Sequence, residues 1–375
     1  MAYQRCKRCV MDNSIDSTIT FDENGYCSYC TNAIEIGKKI YFPNEEGKRK
    51  LQELCDFLKK EGAGKEYDCV MGISGGLDSS YLAYLGYKMG LRILAFHIDD
   101  GFDVPLATEN VRKLCEACHI DLVQIKPDAQ QYNDLTRAFF LAEVPNVAIP
   151  QDNILFAELY RYARKYKIKY FLSGGNYALE SIIMHNPYPI NVWDTAHIKD
   201  IHKRFGTKPI NNLHFMSNFE RVLNRYFYGI HHYQPLNYID YNRDRAIKEL
   251  NAFCGFEYYE QKHCENILTK VIQLYWLPKK FNYDKRTSHL SSLILSGSMT
   301  REEALESLAK PPYDENAMEK DIKFVLDRIG LSRKEFDALV GRPGKRHDDY
   351  KISSSYKFFK KGFYGLWKKL VKDYK

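Results

Sequence analysis

"DCVMGISGGLDSSYLAYLGYKMG", residues 68–90, decides the fold. A short apolar stretch passes through two glycines into a longer run with helical character. Where a strand turns through glycines into a helix, the first backbone N–H groups of the helix lack partners and its dipole adds positive potential, which makes an anion site. Gly75 and Gly76 let the backbone approach a ligand, and Ser74, Ser79 and Ser80 supply hydroxyls. Neither the G-x-x-x-x-G-K-[ST] nucleotide loop nor the G-x-G-x-x-G dinucleotide fingerprint is present. An aspartate inside such a site repels phosphate unless a cation intervenes. Asp78 therefore implies Mg²⁺ bridging carboxylate and phosphate, the alternative being a plain helix cap.

Outward from this stretch, β-rich runs at 68–74, 92–99, 121–126 and 168–176 alternate with helices predicted near 78–90, 107–118, 131–142 and 153–166. Apolar strands alternating with helices predict an α/β fold, a parallel, doubly wound sheet covered on both faces. Ligands bind such sheets at the carboxyl ends of strands. Three of the four runs end there in polar or glycine-rich segments: "SGGLDSS", "DDG" (99–101) and "SGGN" (173–176). Upstream, "EEGKRKLQELCDFLKKEG" (45–62) spaces Leu51, Leu54, Cys55 and Leu58 as one face of an amphipathic helix. From about 190 the chain reads as aromatic and helical, without regular strands.

Cys6, Cys9, Cys27 and Cys30 read C-x2-C-x17-C-x2-C, the spacing of a structural zinc site. The "DENGYC" between the pairs, with Asn24-Gly25, reads as the hairpin of a zinc ribbon. So short a segment builds little core unaided, which favours metal over four buried thiols. The expected organisation is a zinc ribbon at 1–40, an α/β domain with the anion site at 50–190, a helical substrate or partner region at 191–345 and a basic aromatic tail at 346–375.

The 375 residues are 45% hydrophobic, ample for sizeable cores, and carry a formal charge of +7. Between Lys345 and Lys375, nine lysines and Arg346 face only Asp348, Asp349 and Asp373, so the tail holds the whole excess. A neutral body argues against nucleic acid, which needs several cations on one contact face. No run reaches the roughly 18 apolar residues of a membrane span, and "MAYQRCKRCV" lacks a signal-peptide core. A cytoplasmic protein is expected. The lysines and aromatics of 356–375 at helical spacing read as an element for the inner membrane surface, for a partner, or for packing on the body.

"SGGLDSS" after an apolar strand resembles the pyrophosphate loop of the ATP pyrophosphatase (PP-loop) superfamily, whose SGGxDS pattern is matched at Ser74, Gly75, Gly76, Asp78 and Ser79. The resemblance implies an adenine nucleotide alpha-hydrolase-like fold that binds ATP and Mg²⁺, splits ATP between the α and β phosphates and adenylates an oxygen. It puts Asp99 near the adenosine, and Gly174, Gly175 and Asn176 on the far side of the pocket. A narrower likeness joins "RCKRCVMDNSIDSTITFDENGYCSYC" (5–30), the loop, and "KKFNYDKRTSHLSSLILSGSMTREEALESLAKPPYDE" (279–315). Together these resemble the N-acetyl sugar amidotransferases of bacterial surface-polysaccharide (lipopolysaccharide O-antigen) pathways, from residue 5 to about 316.

That likeness implies an acetamido group of a nucleotide-linked sugar converted to an acetamidine with ATP and ammonia, releasing AMP and pyrophosphate. Asp78, Ser79 and Arg286 would be catalytic, with Lys279, Arg286, His289 and Ser291 on the substrate. As a bland alternative, 281–297 is an ordinary solvated helix face. The chain begins Met-Ala and offers no cysteine in a G-x-C-x-G elbow, so ammonia is expected from a separate glutaminase and an ammonia-conducting subunit. The rival readings are a tRNA-modifying PP-loop enzyme, thiolating or lysidine-forming, and a non-catalytic zinc scaffold. Cys115 and Cys118 form one more C-x2-C, inside a predicted helix where thiols commonly serve as core.

Overall fold

The computed structural model describes residues 2–184, 191–259 and 264–353. The tail from 354 lies outside them. Five parallel strands form one sheet in the order β3-β2-β1-β4-β5: β1 Cys69–Gly72, β2 Ile93–Ile98, β3 Asp121–Ile125, β4 Tyr170–Leu172 and β5 His231–Tyr233. The four expected strands are present, each shorter than its apolar run. β5 corrects the expectation of no strands after 190. Its three half-buried residues, two of them histidine, carry no apolar alternation to reveal it.

Helices α1 (Ser28–Ile40) and α2 (Glu45–Glu61) precede the sheet. α3 (Leu77–Lys88) and α4 (Pro105–Cys118) cross between β1, β2 and β3, and α5 (Ala129–Leu141) with α6 (Ile149–Lys165) lead to β4. Alternate residues of β1 serve opposite faces, as a period of two requires. Cys69 and Met71 pack with Leu82, Leu114, Cys115 and Cys118, whereas Val70 packs with Leu159, Tyr160 and Ala163. The sheet is thus doubly wound, and Cys115 and Cys118 are core. On α2 the buried residues include Leu51, Leu54, Cys55 and Leu58; each leucine contributes about 1.5–3 kcal/mol by leaving water.

The chain after 264 packs against α5 rather than standing apart. Fully buried Trp276 stacks edge-on to Phe140, and its indole N–H donates to the Val144 carbonyl at 3.0 Å. Its attachment begins beside the sheet. Asp103 bridges Asn266, and backbone bonds run from Ile267 N to Phe102 O (2.7 Å) and from Val104 N to Glu265 O (3.0 Å). No described helix is long and apolar enough to cross a membrane.

Candidate active site

The glycine turn between β1 and α3 is shaped by close backbone approach. Gly75 has φ +78°, and a Cβ there would stand 2.4 Å from the Ala107 carbonyl oxygen of α4. A Cβ on Gly174, in the turn after β4, would meet the Asp78 and Ser79 backbone at 3.1 Å. Two strand-end turns therefore press together: Gly75 tolerates no side chain, and Gly174 takes one only if the facing backbone gives by a few tenths of an ångström. Gly76 caps α3, and a Cβ on it would lie 2.8 Å from Glu265 Oε1, which sets that carboxylate against the loop.

Within the turn, Gly76 N–H donates to Ser74 Oγ (3.2 Å), and Ser79 Oγ accepts from Ser74 N–H (3.3 Å) while donating to Gly76 O (3.2 Å). Ser80 is fully buried and lines neither cavity described below, so it sits beneath the loop and not on the ligand side. Asp78 is partly exposed in the first turn of α3, and Tyr241 Oη donates to its Oδ1 at 2.7 Å. Burial, then the facing Asp78 carboxylate, holds the Tyr241 phenol well above its ordinary range, so it stays a donor.

Two cavities meet at this loop. One, of about 680 Å³, opens at the carboxyl ends of β1, β2 and β4 and is walled by Ile73, Phe96, Phe156 and Phe171. Its polar pole is His97, Asp100 and Asp103. The other, of about 690 Å³, is lined by Gly76, Asp78 and Ser79 with Arg243, Arg286 and Lys310. Ser74, Gly174, Glu180, Glu265, Lys285 and His289 line both. Each volume suits a ligand of nucleotide size.

At the polar pole, His97 Nδ1 lies 2.8 Å from the Ile73 carbonyl and Nε2 lies 3.1 Å from Asp103 Oδ2. Burial lowers its pKa, but the Asp103 and Ile73 acceptors outweigh it and the net shift is upward. Asp100 accepts from Phe102 N–H, Tyr132 Oη, Gln151 Nε2 and Asn266 Nδ2 at 2.7–3.0 Å. Burial first, then Asp103, raises its pKa. His97 and Asp100 belong to "HIDDG" (97–101), the segment that the resemblance puts with Asp99 near the adenosine, whereas Asp103 lies beyond it and carries no motif signal.

Other expected residues are placed as follows. Asp99 pairs with Lys126 at 3.0 Å toward the β3 edge and lines neither cavity; the buried Asp100 beside it does. Gly175 lines the second cavity, whereas Asn176 caps the turn at Tyr177–Glu180 by accepting from Leu179 N–H at 2.9 Å. Arg286 faces the second cavity with its guanidinium held by Asp284 (2.7 Å) and the Lys310 carbonyl (3.0 Å). His289 lies between the cavities. Lys279 is exposed and outside both. Ser291 is fully buried and accepts from Val10 N–H at 3.2 Å; its polarity holds the N-terminal segment rather than a ligand.

The four N-terminal cysteines converge. Their sulfurs all lie within 4.8 Å of one another, all four residues are buried, and none forms a disulfide. Cys6–Cys30 and Cys9–Cys27 are 3.7 and 3.6 Å apart, near the tetrahedron edge set by Zn–S bonds of about 2.3 Å. Backbone N–H groups of Cys27 (3.2 Å) and Arg8 (3.4 Å) point at Cys6 Sγ, as suits a thiolate. The expected hairpin is there: Phe21 bridges Cys27, and Gly25 turns at φ +79°. This knot is mortared to the helix Arg286–Leu295. Arg301 donates to the Cys6 and Cys9 carbonyls, and Ile294 and Leu295 pack on the cysteine core. The donor set fits a single soft ion, and the hard Asp78 carboxylate at a phosphate-sized turn fits Mg²⁺.

No curated protein sequence matches the chain. Solved structures similar to it include two synthetases and a thiolase. The first is an NH3-dependent NAD synthetase from Campylobacter jejuni in complex with nitrate, at 21% identity, TM-score 0.27, covering 35% of this chain and 57% of that one. The second is an NMN synthetase from Francisella tularensis, at 15%, 0.28, 58% and 98%. The third is a U34-tRNA thiolase from Methanococcus maripaludis with its [4Fe-4S] cluster, at 16%, 0.32, 82% and 89%. The chain thus spans little more than half of the first. Residues 265–362, from Glu265 at the loop through Arg286 and His289, match the C-terminal domain model of LPS biosynthesis proteins of the WbpG-like kind.

Proposed function

We propose that the protein is an ATP-dependent amidotransferase, forming AMP and pyrophosphate, that acts on a nucleotide-linked N-acetyl sugar in lipopolysaccharide synthesis. The observation that carries this reading is the junction of two nucleotide-sized cavities at one glycine loop bearing Asp78. The first cavity takes the adenosine of ATP, whose phosphates reach the loop at the junction, and the second takes the sugar nucleotide against Arg243, Arg286 and Lys310. The match of 265–362 to a lipopolysaccharide-biosynthesis family supports the substrate class, since that segment supplies Lys285, Arg286 and His289.

An amide carbon resists ammonia because its oxygen leaves poorly, and adenylation of that oxygen makes AMP the leaving group. Mg²⁺, held by Asp78, would supply charge neutralisation at the departing pyrophosphate. The chain's own residues do the rest. N–H groups of the loop and of α3 hold phosphate oxygens, Ser74 and Ser79 orient them, and Arg286, whose forked edge is taken by Asp284, sets a fixed positive group in the cavity wall near the substrate. Ammonia comes from a separate glutaminase through a conducting subunit. The zinc knot keeps the helix Arg286–Leu295 in place.

The test is incubation with ATP, an ammonium salt and a panel of N-acetylated sugar nucleotides. The expected products are AMP, pyrophosphate and a sugar nucleotide lighter by the difference between O and NH. Formation of ADP, or no product across the panel, refutes the reading.

A further inference from the structure

We propose that the helix Asn218–Tyr226 and the turn after it form a docking face for an anionic lipid bilayer. This helix is inside out. Phe219, Val222 and Tyr226, at i, i+3 and i+7, make one stripe that is 75%, 50% and 60% exposed, and Phe227 continues it at 75%. The one buried side chain is Asn224, which accepts from Arg164 and donates to the Met216 sulfur at 3.3 Å. An ordinary surface helix turns its apolar stripe inward, and four large apolar side chains at least half exposed mark a contact face.

The rim of the stripe selects the occupant. The Arg164 guanidinium lies 5.4 Å from the Tyr228 ring, Arg221 lies 5.4 Å from the Trp193 ring, Arg225 bonds His231, and Lys169 lies beside Gly229. The acid on the helix, Glu220, closes its capping box with Ser217. An aromatic stripe ringed by arginine and lysine complements anionic headgroups over an acyl boundary.

The exit of the chain favours the same choice. The backbone N–H of Ser353, the last described residue, donates to Asp194 Oδ2 at 2.9 Å, one position along the chain from Trp193, whose ring Arg221 approaches. Residues 354–375 carry seven lysines against Asp373. Like charge opposes the tail covering a cationic rim, and both are suited to one anionic surface. This inference stands independently of the proposed reaction.

The full-length protein is co-sedimented with vesicles of phosphatidylethanolamine and phosphatidylglycerol, and with phosphatidylcholine alone. Binding to the anionic vesicles only, weakened by salt, and a drop of about tenfold or more in partitioning for Phe219→Asp with Phe227→Asp are expected. The thermal midpoint should be unchanged, since both side chains are already in water. Absence of anionic-vesicle binding overturns the proposal, and so does binding that survives both aspartates. Lipid-free self-association abolished by the aspartates assigns the face to a second copy of the chain and also overturns it.

Discussion

Tyr241 Oη donates to Asp78 Oδ1 across 2.7 Å, from a residue 163 positions downstream. The phenol is buried against the Tyr81 ring at 5.3 Å, so it cannot swing away, and it fixes the direction in which the loop carboxylate points. A hydrogen bond to a charged group contributes about 1.5–3 kcal/mol. Tyr241→Phe should therefore weaken Mg²⁺ dependence of pyrophosphate release by about tenfold in half-saturating metal, with a small loss in stability. An unchanged metal titration would remove Tyr241 from the positioning of Asp78.

Asp78→Asn keeps an oxygen to accept from Tyr241 and keeps the side-chain volume, so it isolates charge from shape. Pyrophosphate release should fall by at least about a hundredfold, while circular dichroism and the thermal midpoint stay near those of the parent. A rate within a few-fold of the parent is incompatible with a carboxylate that carries the metal.

Gly75→Ala asks whether the loop's backbone or its side chains make the site. The added Cβ meets the Ala107 carbonyl at 2.4 Å, at a φ of +78° that L residues rarely adopt. A cost of about 1–3 kcal/mol is expected from conformation alone, with more from the clash. Nucleotide binding by calorimetry should be lost before the fold is, because the strain falls on the turn.

Local patterns made much of this legible from sequence. Leu51, Leu54 and Leu58 declared α2, the apolar runs declared β1 to β4, and the cysteine spacing declared a cluster that the fold assembles. What was missed depends on long-range contact. Tyr241 meets Asp78, and Glu265 meets Gly76, across more than 160 residues, and neither sits in a recognisable motif. Ser80 and Ser291 looked like ligand hydroxyls because motif proximity suggested it, but burial decided otherwise. Asp99 and Asp100 are neighbours in the turn after β2, one paired with Lys126 and the other buried at the first cavity, a choice the sequence "DD" leaves open.

The His97 pair predicts a direction of pH dependence. Its two ring nitrogens face a carbonyl and a carboxylate, so the doubly protonated ring is favoured in the fold and the pKa lies above the unfolded value of about 6.5. A raised folded pKa means stability that is full below about 6.5 and is lost as pH climbs through the folded value. Urea unfolding at stepped pH should show this loss, and His97→Asn should flatten it. An equal slope in both proteins would exclude His97 as its source.

Metal removal provides the farthest-reaching test, because the cysteine knot and the second cavity share a wall. Arg301 clamps the Cys6 and Cys9 carbonyls, Ser291 holds Val10, and Ile294 and Leu295 complete the knot's core, all on or beside the helix that presents Arg286 and His289. Purified protein should contain about one zinc per chain. Cys27→Ser should lose it and lower the thermal midpoint, since metal binding in so small a unit is folding energy. Hydrogen exchange should then quicken in Arg286–Leu295 as well as in the ribbon, while β1 and β2 keep their protection. Loss confined to residues before 40 would mean that the metal stabilises its own loop and nothing of the cavity wall.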